Sequence, residues 1–209
     1  MKEVIESLQK EIGNHTTLVA VSKTKPKEEI RKAYELGVRD FGENYVQELV
    51  EKMDSLPLDI KWHMIGHLQT NKVKELVKRN IFLIESVDSI KLAREINKEA
   101  LKNEKTINIL IEVNIANDPN KTGVSENELD SLIKEVQELP NIHLKGLMAI
   151  APHTEDENEI REAFKRMKEY QIKYQLEILS MGMSHDYPIA LEEGSNMVRI
   201  GSKIFGERR

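Results

Sequence analysis

Residues 18–26 read LVAVSKTKP. Leu18, Val19, Ala20 and Val21 offer nothing to water on either face, so the run reads as a strand buried on both sides, the habit of parallel sheets. The residues just after this run decide between two architectures. An open, doubly wound sheet that binds a nucleotide carries a glycine-rich turn after its first strand. Residues 21–26, VSKTKP, contain no glycine. They offer a lysine instead, Lys23, at the strand end. A lysine there commonly points outward into solvent. The sharper alternative is that it points inward and works as an amine.

Working outward from this strand, short apolar runs alternate with longer charged, periodic runs. Strands are expected at 17–22, 38–43, 61–66, 81–86, 106–115, 143–150, 176–184 and 197–201. Helices are expected at 26–36, 45–54, 69–79, from Asp88 or Ser89 to about 103, at 125–138, 156–174 and 186–193. Pro26 suits a first helical turn and Gly37 a stop. Ser125 and Glu128 have the spacing of a capping box. An amphipathic helix precedes everything, in MKEVIESLQKEIGNH. Eight strands alternating with seven helices imply βαβ units and a parallel sheet, and eight such units can close into a (β/α)8 TIM barrel. The expectation is a single barrel domain over 1–209 with an extra N-terminal helix.

Composition narrows the function classes. With 31 Lys and Arg against 36 Asp and Glu, the formal net charge is −5; nothing global points to nucleic acid or a membrane surface. There is no cysteine, which removes thiolate chemistry and disulfides. The first residues lack the apolar core of a signal peptide, and no run reaches the roughly 18 apolar residues of a membrane span. A cytoplasmic protein is expected.

In a barrel of this kind the chemistry sits at the C-terminal ends of the strands. Those ends carry Lys23; Gly42, Glu43 and Asn44; Gly66, His67 and Gln69; Asn114; Met148; Gly182, Met183 and Ser184; and Arg199, Gly201 and Ser202. A lysine between low-dielectric walls loses its proton more easily, and the free amine attacks a carbonyl to form a Schiff base. The seventh and eighth strands end in MGMS and RIGS. Small residues bare backbone N–H groups and serines add donors, as in a phosphate site, although glycines also simply make tight turns. A Schiff-base lysine facing a phosphate cup suggests a phosphorylated aldehyde, and pyridoxal 5′-phosphate (PLP) answers that description. Strand alternation then puts Arg199 on the side of Gly201, where it could face the pyridine nitrogen and keep it unprotonated.

Other residues read more plainly. His63 and His67 lie on a strand and a turn, share no helical face, and are not expected to hold a metal. Trp62 reads as packing, and Met181 and Met183 as packing in the core or beside a ring. His153 and His185 read as solvated. KEEIRK and EDENEIREAFKRMKE read as solvated helix faces with i,i+4 ion pairs.

Assembled, the chain resembles the pyridoxal phosphate homeostasis proteins, relatives of the N-terminal barrel of alanine racemase. The resemblance spans nearly the whole chain, in seven ordered blocks: AVSKTKP (20–26), FGENYVQE (41–48), WHMIGHLQTNK (62–72), ESVDS (85–89), GLMAI (146–150), LSMGMSHD (179–186) and GSNMVRIGSKIFGER (194–208). It implies that Lys23 holds PLP as an internal aldimine, that Ser184, Gly201 and Ser202 form the phosphate cup, that Arg199 faces the ring nitrogen, and that Asn44 and Met183 line the ring. It implies a binding protein that supplies PLP and maintains vitamin B6 pools without assigned turnover. Two positions depart from the family's habit: Asn196 where threonine is common, and Lys203 where a small residue is common.

Three functions are open at this point. The first is a carrier that holds PLP and releases it to PLP-dependent apo-enzymes, working as a monomer. The second is a PLP-dependent amino-acid racemase or related enzyme, which needs a second acid/base; Tyr45 and His67 are the nearby options. The third is a cofactor-free Schiff-base aldolase whose phosphate cup takes a sugar phosphate.

Overall fold

A computed structural model describes residues 1–206; the last two residues of the 194–208 block, Glu207 and Arg208, lie outside them. Along the chain come α1 (Lys2–Ile12), β1 (Thr17–Val21), α2 (Lys27–Glu35), β2 (Asp40–Glu43), α3 (Val46–Met53), β3 (Lys61–Met64), α4 (Thr70–Val77), β4 (Leu83–Val87), α5 (Ile90–Lys102), β5 (Ile107–Val113), α6 (Glu126–Gln137), β6 (Ile142–Ala149), α7 (Glu157–Lys173), β7 (Ile178–Ser180), α8 (Tyr187–Glu192), β8 (Met197–Ile200) and α9 (Ser202–Phe205). All eight strands are parallel, each pairs with its sequence neighbour, and β8 closes on β1, with Val19 opposite Arg199. The (β/α)8 barrel with its extra N-terminal helix is the observed architecture.

Two apolar layers hold it. Between the barrel wall and the helices lies one extensive core, in which Ala20, Phe41, Met64, Ile84, Ile109, Leu147, Leu179 and Val198 meet helix residues such as Ile30, Leu49, Val73 and Ile96. Inside the barrel a smaller cluster of Val19, Leu83, Leu110, Met148 and Met197 plugs the lumen. Because strand residues alternate, Val19 inside places Val21 and Lys23 on the same inner side, while Ser22 faces the helices. Met148 therefore sits in the plug below the mouth. Trp62 packs against Phe41, ring centroids 5.8 Å apart.

Local signals were honoured unevenly. Ser89 caps α5, its hydroxyl accepting from Leu92 N at 3.3 Å. Pro26 stands one residue before α2, where its carbonyl accepts from Glu29 and Ile30. Ser125 and Glu128 bond to each other at 2.6 Å, so the serine hydroxyl spends itself on a carboxylate rather than on a backbone N–H. The strand expected over 176–184 shrinks to Ile178–Ser180. Gln175 precedes it with φ +54 and Gly182 ends it with φ +98, conformations no strand accommodates. The charged run of α7 pairs both along the helix, Lys165 with Glu162 at 3.0 Å and i,i+3 spacing, and across helices, where Arg161 reaches Glu192 and Glu193 and Arg166 reaches Glu126. Asn196 has a fastening role, its Oδ1 accepting from Leu179 N at 2.8 Å and its Nδ2 donating to Glu177 O at 2.8 Å.

Candidate functional site at the barrel mouth

One cavity of about 230 Å³ opens at the C-terminal ends of β1, β7 and β8. Lys23, Met183, Ser184, Arg199, Gly201 and Ser202 all line it, together with Val21, Lys25, His185 and Gly206. Six of the seven residues singled out in the sequence thus converge. The seventh does not: Asn44 lines an adjoining cavity with Tyr45, Gln47, His67, Gln69 and Lys72. Asn44 follows the last residue of β2, Glu43, and Gly66 packs directly on its backbone.

Lys23 is half-buried, and its neighbours on both sides are tied down from behind. Lys52, on α3, donates to Ser22 O at 2.8 Å, to Glu43 Oε1 at 2.7 Å and to Glu48 Oε1 at 2.6 Å. Ser22 Oγ donates to Glu43 Oε1 at 2.6 Å. Thr24, a β-branched residue held at φ +64, donates its N–H to Glu48 Oε1 at 2.6 Å. A left-handed conformation is costly for such a side chain, and the carboxylate is what holds it there. Burial pushes the Glu43 carboxyl up to about 6, against the pull of Lys52 and Ser22; its second oxygen has no hydrogen-bond partner among the described residues. Lys25 is committed elsewhere, donating to Phe205 O and Gly206 O at 2.9 and 3.3 Å.

Across the mouth, the loop after β7 is held by Asp186, whose carboxylate accepts from Met183 N at 2.6 Å. Gly182 at φ +98 permits the turn, and a Cβ there would stand 2.6 Å from that of Ala190. At Gly201 a Cβ would come within 3.2 Å of Val21 Cβ and Val21 O, so any side chain there would press on β1 at the cup floor.

Arg199 is 3% exposed and is gripped from within the barrel. Its Nη1 donates to Ser180 Oγ at 2.7 Å and its Nη2 to Ala149 O at 3.0 Å. Ser180 Oγ donates to Glu85 Oε2 at 2.6 Å, and Glu85 Oε1 meets His63 Nδ1 at 2.7 Å. His63 Nε2 meets Asp40 Oδ1 at 3.1 Å. Burial works against the charged His63 ring, but its two carboxylate bonds outweigh burial and its pKa is raised. Burial likewise opposes ionised Glu85, and His63, Arg199 and Ser180 overcome it, leaving its pKa lowered. Sequence reading passed over this interior. The available signal was an acidic residue within the apolar strand LIESV, where both faces should be buried.

These residues suit a phosphorylated pyridine aldehyde. A lysine stands at one side, an obligate cation at another, two serine hydroxyls flank a floor cleared by glycine, and Val21 and Met183 add apolar surface for a ring.

A barrel with a lysine on its first strand end and a small-residue cup after its last two defines a class of protein, and comparison identifies it. A family model for the alanine racemase N-terminal domain matches residues 1–209, and the chain belongs to that family. Within the family, it stands with the pyridoxal phosphate homeostasis proteins. It is 42% identical to that of Aquifex aeolicus over 222 residues, covering 100% of this chain and 97% of the relative. It is 42% identical to that of Haemophilus influenzae over 205 residues, covering 93% and 86%. Among solved structures it is similar to PipY of Synechococcus elongatus with PLP bound, at 33% identity and a TM-score of 0.91, covering 98% of this chain and 99% of that one. Alanine racemase of Corynebacterium glutamicum shares the fold, with a TM-score of 0.79 at 17% identity over 99% of this chain and 60% of that one.

Proposed function

We propose that this protein binds PLP at the barrel mouth through Lys23, and buffers and supplies it to PLP-dependent apo-enzymes in the cytoplasm, as a single-domain monomer. The observation that carries this is the convergence of Lys23, Arg199, Ser184, Gly201 and Ser202 on one cavity. When bound, the group supplies an aldehyde that condenses reversibly with amines and a conjugated ring that stabilises negative charge. Lys23 is the amine that takes the aldehyde carbon. Ser184, Ser202 and the backbone at Gly201 take the phosphate. Arg199, cationic at every working pH, donates to the ring nitrogen and keeps protons off it, which weakens the ring as an electron sink. Met183 and Val21 bound the ring. Asn44, just beyond the end of β2, lines the ring from that side.

Supply rather than turnover is supported by where the acid/base candidates lie. Tyr45 and His67 both line the adjoining cavity, and Tyr45 is 63% exposed. A racemase needs a second acid/base within hydrogen-bond reach of the carbon it reprotonates. The names of the relatives, and the PLP bound in PipY, support the same ligand.

The test is absorbance between roughly 300 and 500 nm after adding PLP, followed by borohydride reduction and peptide mapping. A visible band whose reduction marks Lys23 is expected, with no change in stereochemistry of added alanine. A protein that stays colourless overturns the proposal and brings the sugar-phosphate aldolase forward. Turnover of alanine would make it a racemase.

A further inference from the structure

Resting on that reading of the mouth, we propose that Glu85 and His63 are positioning residues for Arg199, acting on the ring-nitrogen contact from inside the barrel. Polarity of the chain of bonds argues for it. A guanidinium can only donate. Ser180 Oγ therefore accepts from Arg199 and must give its single proton to Glu85 Oε2. Glu85 must then accept on that oxygen, and its other oxygen faces His63 Nδ1. His63, in turn, meets Asp40 through Nε2. The arrangement is satisfied throughout when arginine, glutamate, histidine and aspartate alternate in charge. Five side chains from β2, β3, β4, β7 and β8 thus form one directed chain from the far end of the lumen to the mouth. Arg199 Nη1 lies 3.9 Å from Glu85 Oε2, so the carboxylate also attracts the guanidinium directly.

The surroundings leave Glu85 as the anion that does this. The other buried lumen carboxyl, Glu112, has its pKa raised, first by burial, and is bonded to Thr122 Oγ1 at 2.7 Å. Lys61, on the same strand as His63, is turned over the Phe82 ring at 5.2 Å, and Phe82 also flanks His63 at 5.4 Å. A guanidinium on a three-carbon stem has many rotamers; the chain leaves it one. A neutral amide at Glu85 offers Ser180 a weaker acceptor and removes the attraction.

Two probes read the contact: PLP, and its analogue with C–H in place of the ring nitrogen and the same aldehyde, hydroxyl and phosphate. Dissociation constants for both are measured by absorbance titration in the wild-type chain and in Arg199→Gln, Glu85→Gln, His63→Gln and Ser180→Ala, each checked for fold by circular dichroism. Arg199→Gln is preferred to Arg199→Glu, which would set two carboxylates side by side in the lumen. Wild type should favour the nitrogen probe by about tenfold, the scale of one charge-assisted bond. Glu85→Gln and His63→Gln should lose most of that preference, approaching Arg199→Gln. Ser180→Ala, which removes one hydroxyl and leaves the fold's volume almost unchanged, should lose at least about threefold, as one neutral hydrogen bond would. Folded variants that keep the full preference, or that weaken for both probes equally, overturn the positioning role. Equal binding of both probes by wild type overturns the Arg199 assignment and this inference with it. Failure of wild type to bind either probe overturns the PLP proposal itself.

Discussion

Lys52 Nζ and Glu43 Oε1 lie 2.7 Å apart behind the strand end that carries Lys23, with side chains 5% and 0% exposed. The pair is not at the mouth, yet it fixes the backbone on both sides of the lysine, through Ser22 O and through Glu48 to Thr24 N. A charge buried this deeply is tolerated only with its partner present. Lys52→Met should therefore destabilise the fold by about 3–5 kcal/mol, the cost of leaving a buried carboxylate uncompensated. Urea unfolding checks it; a loss below about 1 kcal/mol would mean that Glu43 simply takes up a proton at little cost.

Glu43 also predicts a pH dependence. Its folded pKa of about 6 stands above its ordinary 4.5, with burial the largest cause. The folded state therefore holds the proton more tightly than the unfolded chain. Stability from this group is full below pH 4.5 and is lost as pH rises through about 6, to a total on the order of 2 kcal/mol. A Glu43→Gln variant should lack this fall. The two unfolding free energies, measured from about pH 4 to 7, should diverge across that window, and parallel curves would remove Glu43 as the titrating group.

His63 acts with the same sign at higher pH. Its folded pKa is raised, by its carboxylate partners against burial, so its contribution is complete below the ordinary 6.5 and disappears as pH climbs through the raised value. Wild type should lose stability on alkaline titration where His63→Gln does not. Matching slopes in thermal melts above about pH 6.5 would count against a protonated ring in the lumen.

Gly66 is a geometric requirement. A Cβ there would stand 2.2 Å from Asn44 O and 2.6 Å from Asn44 Cα, and backbone cannot step aside as a side-chain tip can. Gly66→Ala should cost about 1–3 kcal/mol or more by overpacking and displace the cavity wall around Asn44 and Tyr45. Chemical denaturation gives the energy; an unchanged midpoint would show that the strand ends separate freely.

Lys23→Ala should abolish the borohydride-reducible band while leaving the barrel folded, which absorbance and circular dichroism together check. Retention of the band would point to Lys25, whose ammonium would first have to leave the carbonyls of Phe205 and Gly206.

The barrel was legible because its evidence is local and periodic. Eight apolar runs of the right length, alternating with amphipathic helices, leave few ways to bury their faces. The mouth was legible for a related reason: once LVAV is a strand in such a barrel, Lys23 must lie at its C-terminal end, and MGMS and RIGS fall at theirs. Which cavity Asn44 lines was not legible, because that depends on how Gly66 of the next strand end packs on its backbone. The seventh strand was overdrawn because apolar residues around Gly182 read as strand while that glycine's φ of +98 turns the chain.

By itself, then, the amino-acid sequence determined the order of elements, the closed parallel barrel, and which strand ends carry an amine, an arginine and a small-residue cup. Each follows from alternation and helical period, which depend on neighbours a few residues away. Only the tertiary structure decided what grips those groups. His63 and Glu85 are 22 positions apart, and Glu85 and Ser180 are 95 apart. They meet because parallel strands from across the barrel point their alternate side chains into one lumen, where a low dielectric makes each charge demand a partner. No local pattern in the chain encodes that demand; closure of the barrel does.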